Sequence, residues 1–353
     1  MSEETVLRLR DTRNLDAQGY KSLLQDDDRQ VCALLKEEAR KAAVSVFGHD
    51  IYIRGLIEVS NNCRNNCLYC GIRAANAGIR RYRLDKEEIL ECCREGYARG
   101  LRTFVLQGGE DPQQTDSWIE DVVRSIREEF PDCAITLSLG EKSADSYRRF
   151  REAGADRYLL RHETFNAEHY SRLHPSGMSR ARRLECLKNL KALGYQTGSG
   201  IMVGSPYQTV DNIVEDLLFL QELCPEMIGI GPFIHHGGTP FADCPDGSVE
   251  MTLKLISILR LMSPEALIPA TTALATLEGG ARVRGILAGA NVVMPNLTPS
   301  RLRADYDLYE GKACTGSESV EGLEELKREL AAAGYGIAVS RGDYSNKRKE
   351  CTT

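Results

Sequence analysis

Residues 51–71 read IYIRGLIEVSNNCRNNCLYCG, a run of apolar and β-branched residues followed by Cys63, Cys67 and Cys70. The run predicts a buried β-strand, and the polar residues after it predict a loop. Structural zinc sites and ordinary iron–sulfur clusters usually take four protein ligands. Three thiolates from one loop therefore predict an iron–sulfur cluster with one iron open to a small molecule. The alternatives are a zinc knuckle without its fourth ligand, or thiols that merely pack.

The strand, loop and helix pattern recurs along the chain. Further apolar runs predict strands at residues 103–106, 134–139, 157–160, 196–203, 227–230, 267–271 and 291–294. Helical patterns lie between the strands at residues 85–98, 116–129, 143–152, 179–193, 209–223, 249–261 and 279–287. Eight strands alternating with helices predict an α/β fold, a (β/α)8 TIM barrel. We assign residues 46–300 to the barrel, 1–45 to an N-terminal helical extension and 301–353 to a C-terminal helical cap packed on the barrel.

Polar residues follow each predicted strand. These loops are residues 61–70, 107–110, 138–141, 161–164, 204–206, 233–236, 271–272 and 295–296. The carboxyl ends of barrel strands share one rim, where the catalytic groups of such barrels lie. Gly, Asn, Ser and Pro are also ordinary turn residues, so a single loop decides little. The eight loops together predict a site at this rim.

Three of these loops suggest particular roles. Gly108-Gly109-Glu110 allows close approach of the backbone to a ligand and offers oxygen acceptors to an ammonium group. Arg161 and Glu163 are alternate residues at a strand end, so they share a face, where they bind either a ligand or each other. His235-His236 resembles a metal pair, but adjacent side chains rarely converge on one ion, and a loop role is favoured.

Composition excludes several classes of protein. A formal net charge of -6 and a pI near 5.7 argue against nucleic-acid binding. No apolar stretch has the length of a membrane span, and the first residues lack the apolar core of a signal peptide. Twelve cysteines in 353 residues are too sparse for a disulfide scaffold and fit a reducing compartment. We expect a soluble cytoplasmic protein without nucleic-acid or membrane partners.

The cysteine loop, with Tyr69 before its last cysteine, resembles the cluster motif of the radical S-adenosylmethionine superfamily. The later strand ends are similar to those of the HydE-type [FeFe]-hydrogenase maturases. The segments that carry this similarity are Gln107 to Pro112, Arg161 to Thr164, Leu173 to Pro175, Ile268 to Leu274 and Met294 to Leu297. The resemblance extends from about Ile51 to Lys312.

The resemblance implies a radical enzyme. Cys63, Cys67 and Cys70 would hold a [4Fe–4S] cluster whose open iron binds S-adenosylmethionine, and the reduced cluster would cleave this cofactor to methionine and a 5′-deoxyadenosyl radical. The residues implied in binding S-adenosylmethionine are Tyr69, Gln107, Gly108, Gly109, Glu110, Glu163, Arg182, Met202 and Ile230. Among them, the glycine loop would bind the methionine amino group, and Arg182 would bind the carboxylate. Tyr69, Met202 and Ile230 would line the adenine.

At the level of the maturases, the resemblance implies a role in assembling the diiron subcluster of the hydrogenase H-cluster. The substrate would be an iron complex that carries carbon monoxide, cyanide and cysteine. The implied substrate-side residues are Arg161, Thr271, Thr272, Met294 and Tyr306, with Tyr309 in the wall. For the two tyrosines the alternative is an amphipathic helix packed over the barrel. The implied partners are other hydrogenase maturases and a reductant of the ferredoxin or flavodoxin type.

The residues also allow two other functions. The first strand and the cysteine loop also resemble a methylornithine synthase, a radical mutase, although Gln107, Thr271-Thr272 and the segment from Met294 to Asn296 fit a maturase better. A non-catalytic iron–sulfur scaffold or carrier is the second alternative. The cofactor-binding groups expected at the rim argue against it.

One feature departs from some members of the maturase family, which carry a second, accessory cluster on three further cysteines near the C-terminus. The corresponding region here has Cys314, and the next cysteine is Cys351. One cysteine cannot hold such a cluster, so we predict no accessory cluster.

Overall fold

The computed structural model describes residues 2–345. The sequence 51–60 forms the first barrel strand in two parts, β1 (Asp50–Ile53) and β2 (Gly55–Ser60), with Arg54 between them. Every residue of β2 is buried. A strand of a parallel barrel is covered on both faces, which accounts for the nearly continuous apolar run.

The remaining strands follow the predicted order along the chain. They are β3 (Thr103–Gly108), β4 (Ala134–Ser138), β5 (Arg157–Leu159), β6 (Gln196–Ser199), β7 (Met202–Val203), β8 (Met227–Ile228), β9 (Gly231–Pro232), β10 (Val292–Val293) and β11 (Gly336–Ala338). Strands β2, β3, β4, β5, β6 and β8 form one parallel sheet, β7 pairs with β9, and β10 pairs with β1. Isolated parallel bridges from Met227 to Leu267 and from Pro269 to Val292 join β8 to β10. The predicted TIM barrel is therefore confirmed.

The seventh predicted strand, residues 267–271, differs from the prediction. It is present only as bridges at Leu267 and Pro269. Proline has no N–H group to donate, so Pro269 prevents a continuous ladder at this position. The residues on either side of Pro269 complete the wall of the barrel without forming a regular strand.

The helices confirm the predicted spacing. They are α1 (Ser2–Thr12), α2 (Ala17–Gln25), α3 (Arg29–Phe47), α4 (Lys86–Ala98), α5 (Asp116–Glu129), α6 (Ala144–Ala153), α7 (Ala167–Leu173), α8 (Arg180–Ala192), α9 (Val210–Leu223), α10 (Val249–Met262), α11 (Thr272–Leu277), α12 (Ala281–Leu287), α13 (Ser300–Arg303) and α14 (Leu323–Ala332), with a 3-10 turn at Gly316–Glu318. A capping box formed by Asp85 and Glu88 begins α4. The short helices α7 and α11 were not predicted. None of the described helices is long and apolar enough to cross a bilayer.

The N-terminal helices pack along the side of the barrel, where α3 lies against α10 and α2 against α9. One hydrophobic core includes Val6 from α1, Ile57 from β2 and Leu330 from α14. Described residues from each of the three expected segments, 1–45, 46–300 and 301–353, therefore share one core.

The C-terminal segment covers the bottom of the barrel. Strand β11 pairs in parallel with β1, and the chain then reaches the buried side chain of Arg157. Arg157 donates to Asp343 Oδ1 at 2.7 Å and to the Arg341 carbonyl at 2.7 Å. The opening opposite the predicted site is thereby closed by the chain itself.

The segment after α13 is irregular, which contradicts the alternative of an amphipathic helix carrying Tyr306 and Tyr309. Its backbone groups bond to other loops: the Gly71 amide donates to the Leu308 carbonyl, and the Glu310 amide donates to the His235 carbonyl. Because these groups are used in tertiary contacts, they do not form the bonds of a helix. The segment lies over the predicted rim.

Candidate functional site

The cysteine loop is held in place by its neighbours. The guanidinium of Arg81 donates to the carbonyls of Asn61, Ile72, Arg73 and Asn76 at distances of 2.5 to 3.0 Å. The three cysteines therefore project from a backbone that is fixed on both sides.

The chemistry of the three thiols fits an iron–sulfur cluster. Burial raises the pKa of Cys67 strongly, and the adjacent Cys70 raises it further. Burial and the nearby Cys63 raise the pKa of Cys70 to about 12. Because burial disfavours the thiolate form, the three cysteines need a nearby positive charge in order to ionise. A metal supplies this charge and deprotonates the thiols that bind it.

The geometry weighs against a single zinc ion. Within residues 2–345, no three His, Cys, Asp or Glu side chains are placed to hold one metal ion together. In a cubane cluster each cysteine binds its own iron, so the three thiols need not converge on a point.

The double glycine lies against the cysteine loop. A Cβ atom added at Gly109 would be 2.3 Å from the Asn62 carbonyl oxygen and 2.7 Å from Cys63 Cβ. The Gly109 amide donates to the Ser60 carbonyl at 3.1 Å. Only glycine allows this approach, so the loop after β3 is directly joined to the loop that carries the cysteines.

Glu110 is buried at this junction. Its carboxylate accepts from Arg64 at 2.9 Å and from the Glu141 amide at 2.9 Å. The carboxylate is therefore oriented beside the cysteine loop, with Arg64 over it. A bound ammonium group would compete with Arg64 for these oxygens.

Arg161 and Glu163 form the ion pair that the sequence left open. Arg161 donates to both carboxylate oxygens of Glu163, at 3.0 and 2.7 Å. Although burial acts in the opposite direction, Arg161 keeps the pKa of Glu163 below its ordinary value. Glu163 also has a φ of 64°, a strained conformation for a non-glycine residue that occurs most often at functional sites.

The structure separates the two arginines at the start of α8. The Arg182 side chain is 55 % exposed, and its Nε lies 3.4 Å from Glu141. The neighbouring Arg183 is 8 % exposed, donates to Glu141 at 2.6 Å and donates to the Arg161 carbonyl at 2.6 Å. Arg182 is therefore the exposed cation at the rim, and Arg183 is a buried structural one that sequence reasoning missed.

Tyr69 and Met202 belong to one apolar cluster with Leu68, Leu173 and Phe233. This cluster can supply the adenine wall that the resemblance implied. Its other members are Phe241 and Cys244.

Ile230 precedes Gly231, the residue that pairs with Met202 between β7 and β9. Its side chain is fully buried in the main hydrophobic core. A contact of Ile230 with the adenine stays a prediction.

The predicted substrate-side residues are not equally available to a ligand. Thr271 Oγ1 is buried and has no hydrogen-bond partner, whereas Thr272 Oγ1 donates to Glu318 at 2.7 Å. Met294 is partly buried against an apolar cluster in the barrel. Tyr306 is 2 % exposed. Thr271 is thus the hydroxyl that is free to bind a ligand.

Glu58, Asn296 and Lys312 form a buried network at this rim that sequence reasoning missed. Glu58 accepts from Asn296 Nδ2 at 2.9 Å and is ion-paired with Lys312. Lys312 also lies over the Tyr306 ring, 4.9 Å from its centroid. The signal was present in the sequence, because Glu58 is the one charged residue in the strand GLIEVS.

A cavity of about 370 Å³ opens beside Glu110 and Arg182. Its lining residues include Arg64, Glu110, Glu141, Lys142 and Arg182. It connects the groups expected to bind the methionine end of S-adenosylmethionine with the surface.

Comparison with known proteins agrees with this geometry. Residues 57–220 match the model of the radical SAM superfamily. The chain is 45% identical over 314 residues to the [FeFe] hydrogenase maturase subunit HydE of Thermotoga maritima, covering 89% of each chain. It is 32% identical over 315 residues to 3-methylornithine synthase of Methanosarcina acetivorans, covering 84% of this chain and 88% of the relative.

Solved structures show the same architecture. Methylornithine synthase (PylB) has a TM-score of 0.82 at 28% identity, covering 95% of this chain and 97% of that chain. The hydrogenase maturase HydG has a TM-score of 0.82 at 20% identity, covering 96% of this chain and 76% of that chain, and indicates the fold alone.

Proposed function

This chain belongs to the radical SAM superfamily and, within it, to the family of the hydrogenase maturase HydE, and from this premise we propose that it acts in assembly of the diiron subcluster of [FeFe]-hydrogenase. The observation that carries the proposal is the 45% identity to a HydE over 89% of both chains. The arrangement of the cysteine loop and the rim supports the chemistry.

The resident groups of this family are a [4Fe–4S] cluster and S-adenosylmethionine. When bound and reduced, the cluster supplies the electron that splits the sulfonium C–S bond to give methionine and a 5′-deoxyadenosyl radical. Cys63, Cys67 and Cys70 would hold the cluster. Glu110 and the double glycine would orient the methionine amino group, and Arg182 would pair with its carboxylate as a planar fork.

The adenosyl end would be positioned by the other side of the rim. Tyr69 and Met202 would pack on the adenine, with Glu163 fixed beside them by Arg161. Binding both ends of the cofactor holds it in a single geometry. This positioning contributes much of the rate enhancement in such a reaction.

We propose that the barrel mouth binds an anionic iron complex carrying carbon monoxide, cyanide and cysteine. Arg161 offers a cation, and Thr271 offers a buried hydroxyl without a protein partner. Met294 and Tyr306 would form the wall. The Thr272 hydroxyl would bind the substrate only after its hydrogen bond to Glu318 is broken.

A carbon-skeleton mutase of the methylornithine synthase type is the second candidate, favoured by the TM-score of 0.82 over nearly the whole chain. The lower identity of 32% to 3-methylornithine synthase places it behind the maturase. A non-catalytic iron–sulfur carrier is less favoured, because such a protein would not need the residues proposed to bind S-adenosylmethionine.

The proposed partners are other hydrogenase maturases and a low-potential reductant of the ferredoxin or flavodoxin type. We propose a reducing cytoplasmic location. The eleven cysteines in residues 2–345 are all free, which fits this proposal.

Two experiments test the function. Anaerobic incubation of the reconstituted protein with dithionite and S-adenosylmethionine should yield 5′-deoxyadenosine, and Cys67→Ala should abolish it; no product from the wild type would refute a radical enzyme. Deletion of the gene should abolish [FeFe]-hydrogenase activity while other cluster enzymes keep theirs. Unchanged hydrogenase activity would refute the maturase role.

A further inference from the structure

The segment around the cysteines is strongly basic in an acidic protein. Between Asn61 and Leu84 the chain has five arginines and neither Asp nor Glu, whereas the whole chain has a formal net charge of -6. We call this arginine-rich segment, three of whose arginines line one cavity, the arginine face. Its members are Arg64, Arg73, Arg80, Arg81 and Arg83.

A cavity on this face leads to a cysteine of the cluster loop. The cavity has a volume of about 240 Å³, and its lining is Asn62, Cys63, Arg64, Ala74, Arg81, Arg83 and Pro112. No carboxylate lines it. The surface that gives access to Cys63 is therefore positively charged.

Part of this charge is uncompensated. Arg64, Arg80 and Arg83 have carboxylate partners in Glu110, Asp305 and Asp111. Arg81 donates to four backbone carbonyls instead. Neither Arg81 nor Arg73 forms an ion pair with a carboxylate in the described part of the chain. Arg81 is thus a fixed charge beside the cavity.

The face also lacks large apolar side chains on its surface. The exposed large hydrophobic residues among those described are Tyr207 and Val339, and neither belongs to this segment. A charged, polar surface suits transient association guided by electrostatics, as occurs between electron-transfer proteins.

We propose that the arginine face is the docking surface for an acidic electron-carrier protein. The inference rests on the proposed function, since a radical enzyme must receive its electron from outside. One electron leaves the carrier, which is oxidised, and enters the cluster at the Cys63 side, which is reduced. No atom or proton is transferred in this step.

The test compares the double variant Arg73→Gln/Arg80→Gln with the control Arg8→Gln. Arg80 and Arg8 are matched, because their side chains are 66 % and 51 % exposed and each pairs with an aspartate. Binding of a small acidic flavodoxin to the reconstituted protein is followed by the change in flavin absorbance at low and high salt. We expect the wild-type affinity to fall with salt and the Kd of the double variant at low salt to rise about tenfold. The control should bind like the wild type.

Product formation supplies a second measurement. The double variant should form 5′-deoxyadenosine at the wild-type rate with dithionite and more slowly with flavodoxin. The proposal would be overturned by an unchanged Kd in the double variant or by a wild-type Kd that does not depend on salt. An equal loss of product formation with both reductants would also overturn it. Tighter binding of single-stranded RNA than of flavodoxin would also overturn it. Absence of product from the wild type with dithionite would instead refute the radical function, while the binding titration still tests the docking surface.

Discussion

The hydroxyl of Tyr69 lies 3.2 Å from Nε2 of His174. The other ring nitrogen, Nδ1, is 3.0 Å from the Tyr170 carbonyl, which can only accept, so Nδ1 carries the proton and Nε2 accepts from Tyr69. Burial lowers the pKa of His174 to about 4, which keeps the ring neutral. His174 therefore acts on the cysteine loop through Tyr69, the residue before Cys70.

We predict that His174→Ala weakens use of S-adenosylmethionine without removing the cluster. Losing the acceptor frees the Tyr69 ring, and loss of a supporting hydrogen bond next to a metal site typically costs roughly 10- to 100-fold in activity. His174→Gln, which keeps an acceptor, should recover part of the loss. Iron content, the KM for S-adenosylmethionine and kcat are measured. A drop in iron with an unchanged KM would show that His174 is needed for the cluster itself.

The repeating pattern of apolar runs and caps made the barrel predictable, as did the position of the cysteines after its first strand. The helix starts at Asp85 and Ser143 were readable because capping is local chemistry. Pairings between distant parts of the chain were not readable. Examples are the contact of His174 with Tyr69 and the pair of Lys312 with Glu58, which are 254 residues apart.

Asp343 lies in the segment that covers the bottom of the barrel, and its ion pairs predict that the stability of the protein depends on pH. Partial burial acts in the opposite direction, but Arg341 and Arg157 lower the pKa of Asp343 to about 2. The ionised carboxylate therefore stabilises the fold above its ordinary pKa of 3.8, and this stabilisation is lost as the pH falls from about 4 to about 2.

We expect Asp343→Asn to lower the free energy of unfolding at neutral pH by roughly 1 to 2 kcal/mol, a value reduced for partial exposure. Urea unfolding at several pH values measures it, and the difference from the wild type should shrink below about pH 4. Asp243→Asn, at an exposed aspartate, is the control. A difference that persists at low pH would mean that the Asp343 charge is not responsible.

We predict one cluster per chain. Wild-type protein and Cys314→Ser should both contain about four irons after anaerobic reconstitution, one for each corner of a single cubane. Cys67→Ala should lose most of its iron. A reproducible value near eight in the wild type that falls in Cys314→Ser would establish an accessory cluster and contradict the prediction.

The pair of Glu58 and Lys312 predicts strong coupling, since their side chains are 0 % and 9 % exposed. Lys312→Met leaves a buried charge without its partner and should destabilise the protein by about 3 to 5 kcal/mol. Glu58→Gln removes the charge while keeping an acceptor for Asn296, so the double variant should regain much of this loss. Urea unfolding of the two single variants and the double variant gives the coupling energy. Strictly additive losses would show that the two charges do not depend on each other.

The close approach of Gly109 to the cysteine loop gives a direct test of how the cluster site is built. In Gly109→Ala the new methyl group would meet the Asn62 carbonyl and Cys63 Cβ at 2.3 and 2.7 Å, so the backbone of one loop must move. A displaced Cys63 can no longer share a cluster with Cys67 and Cys70, and iron content after reconstitution should fall by more than half. Gly279→Ala is the matched control, because a Cβ atom there has no neighbour within 4 Å and its iron content should be unchanged. Full iron in Gly109→Ala would mean that the loop after β3 can withdraw freely, and the double glycine would then serve the bound cofactor rather than the cysteine loop.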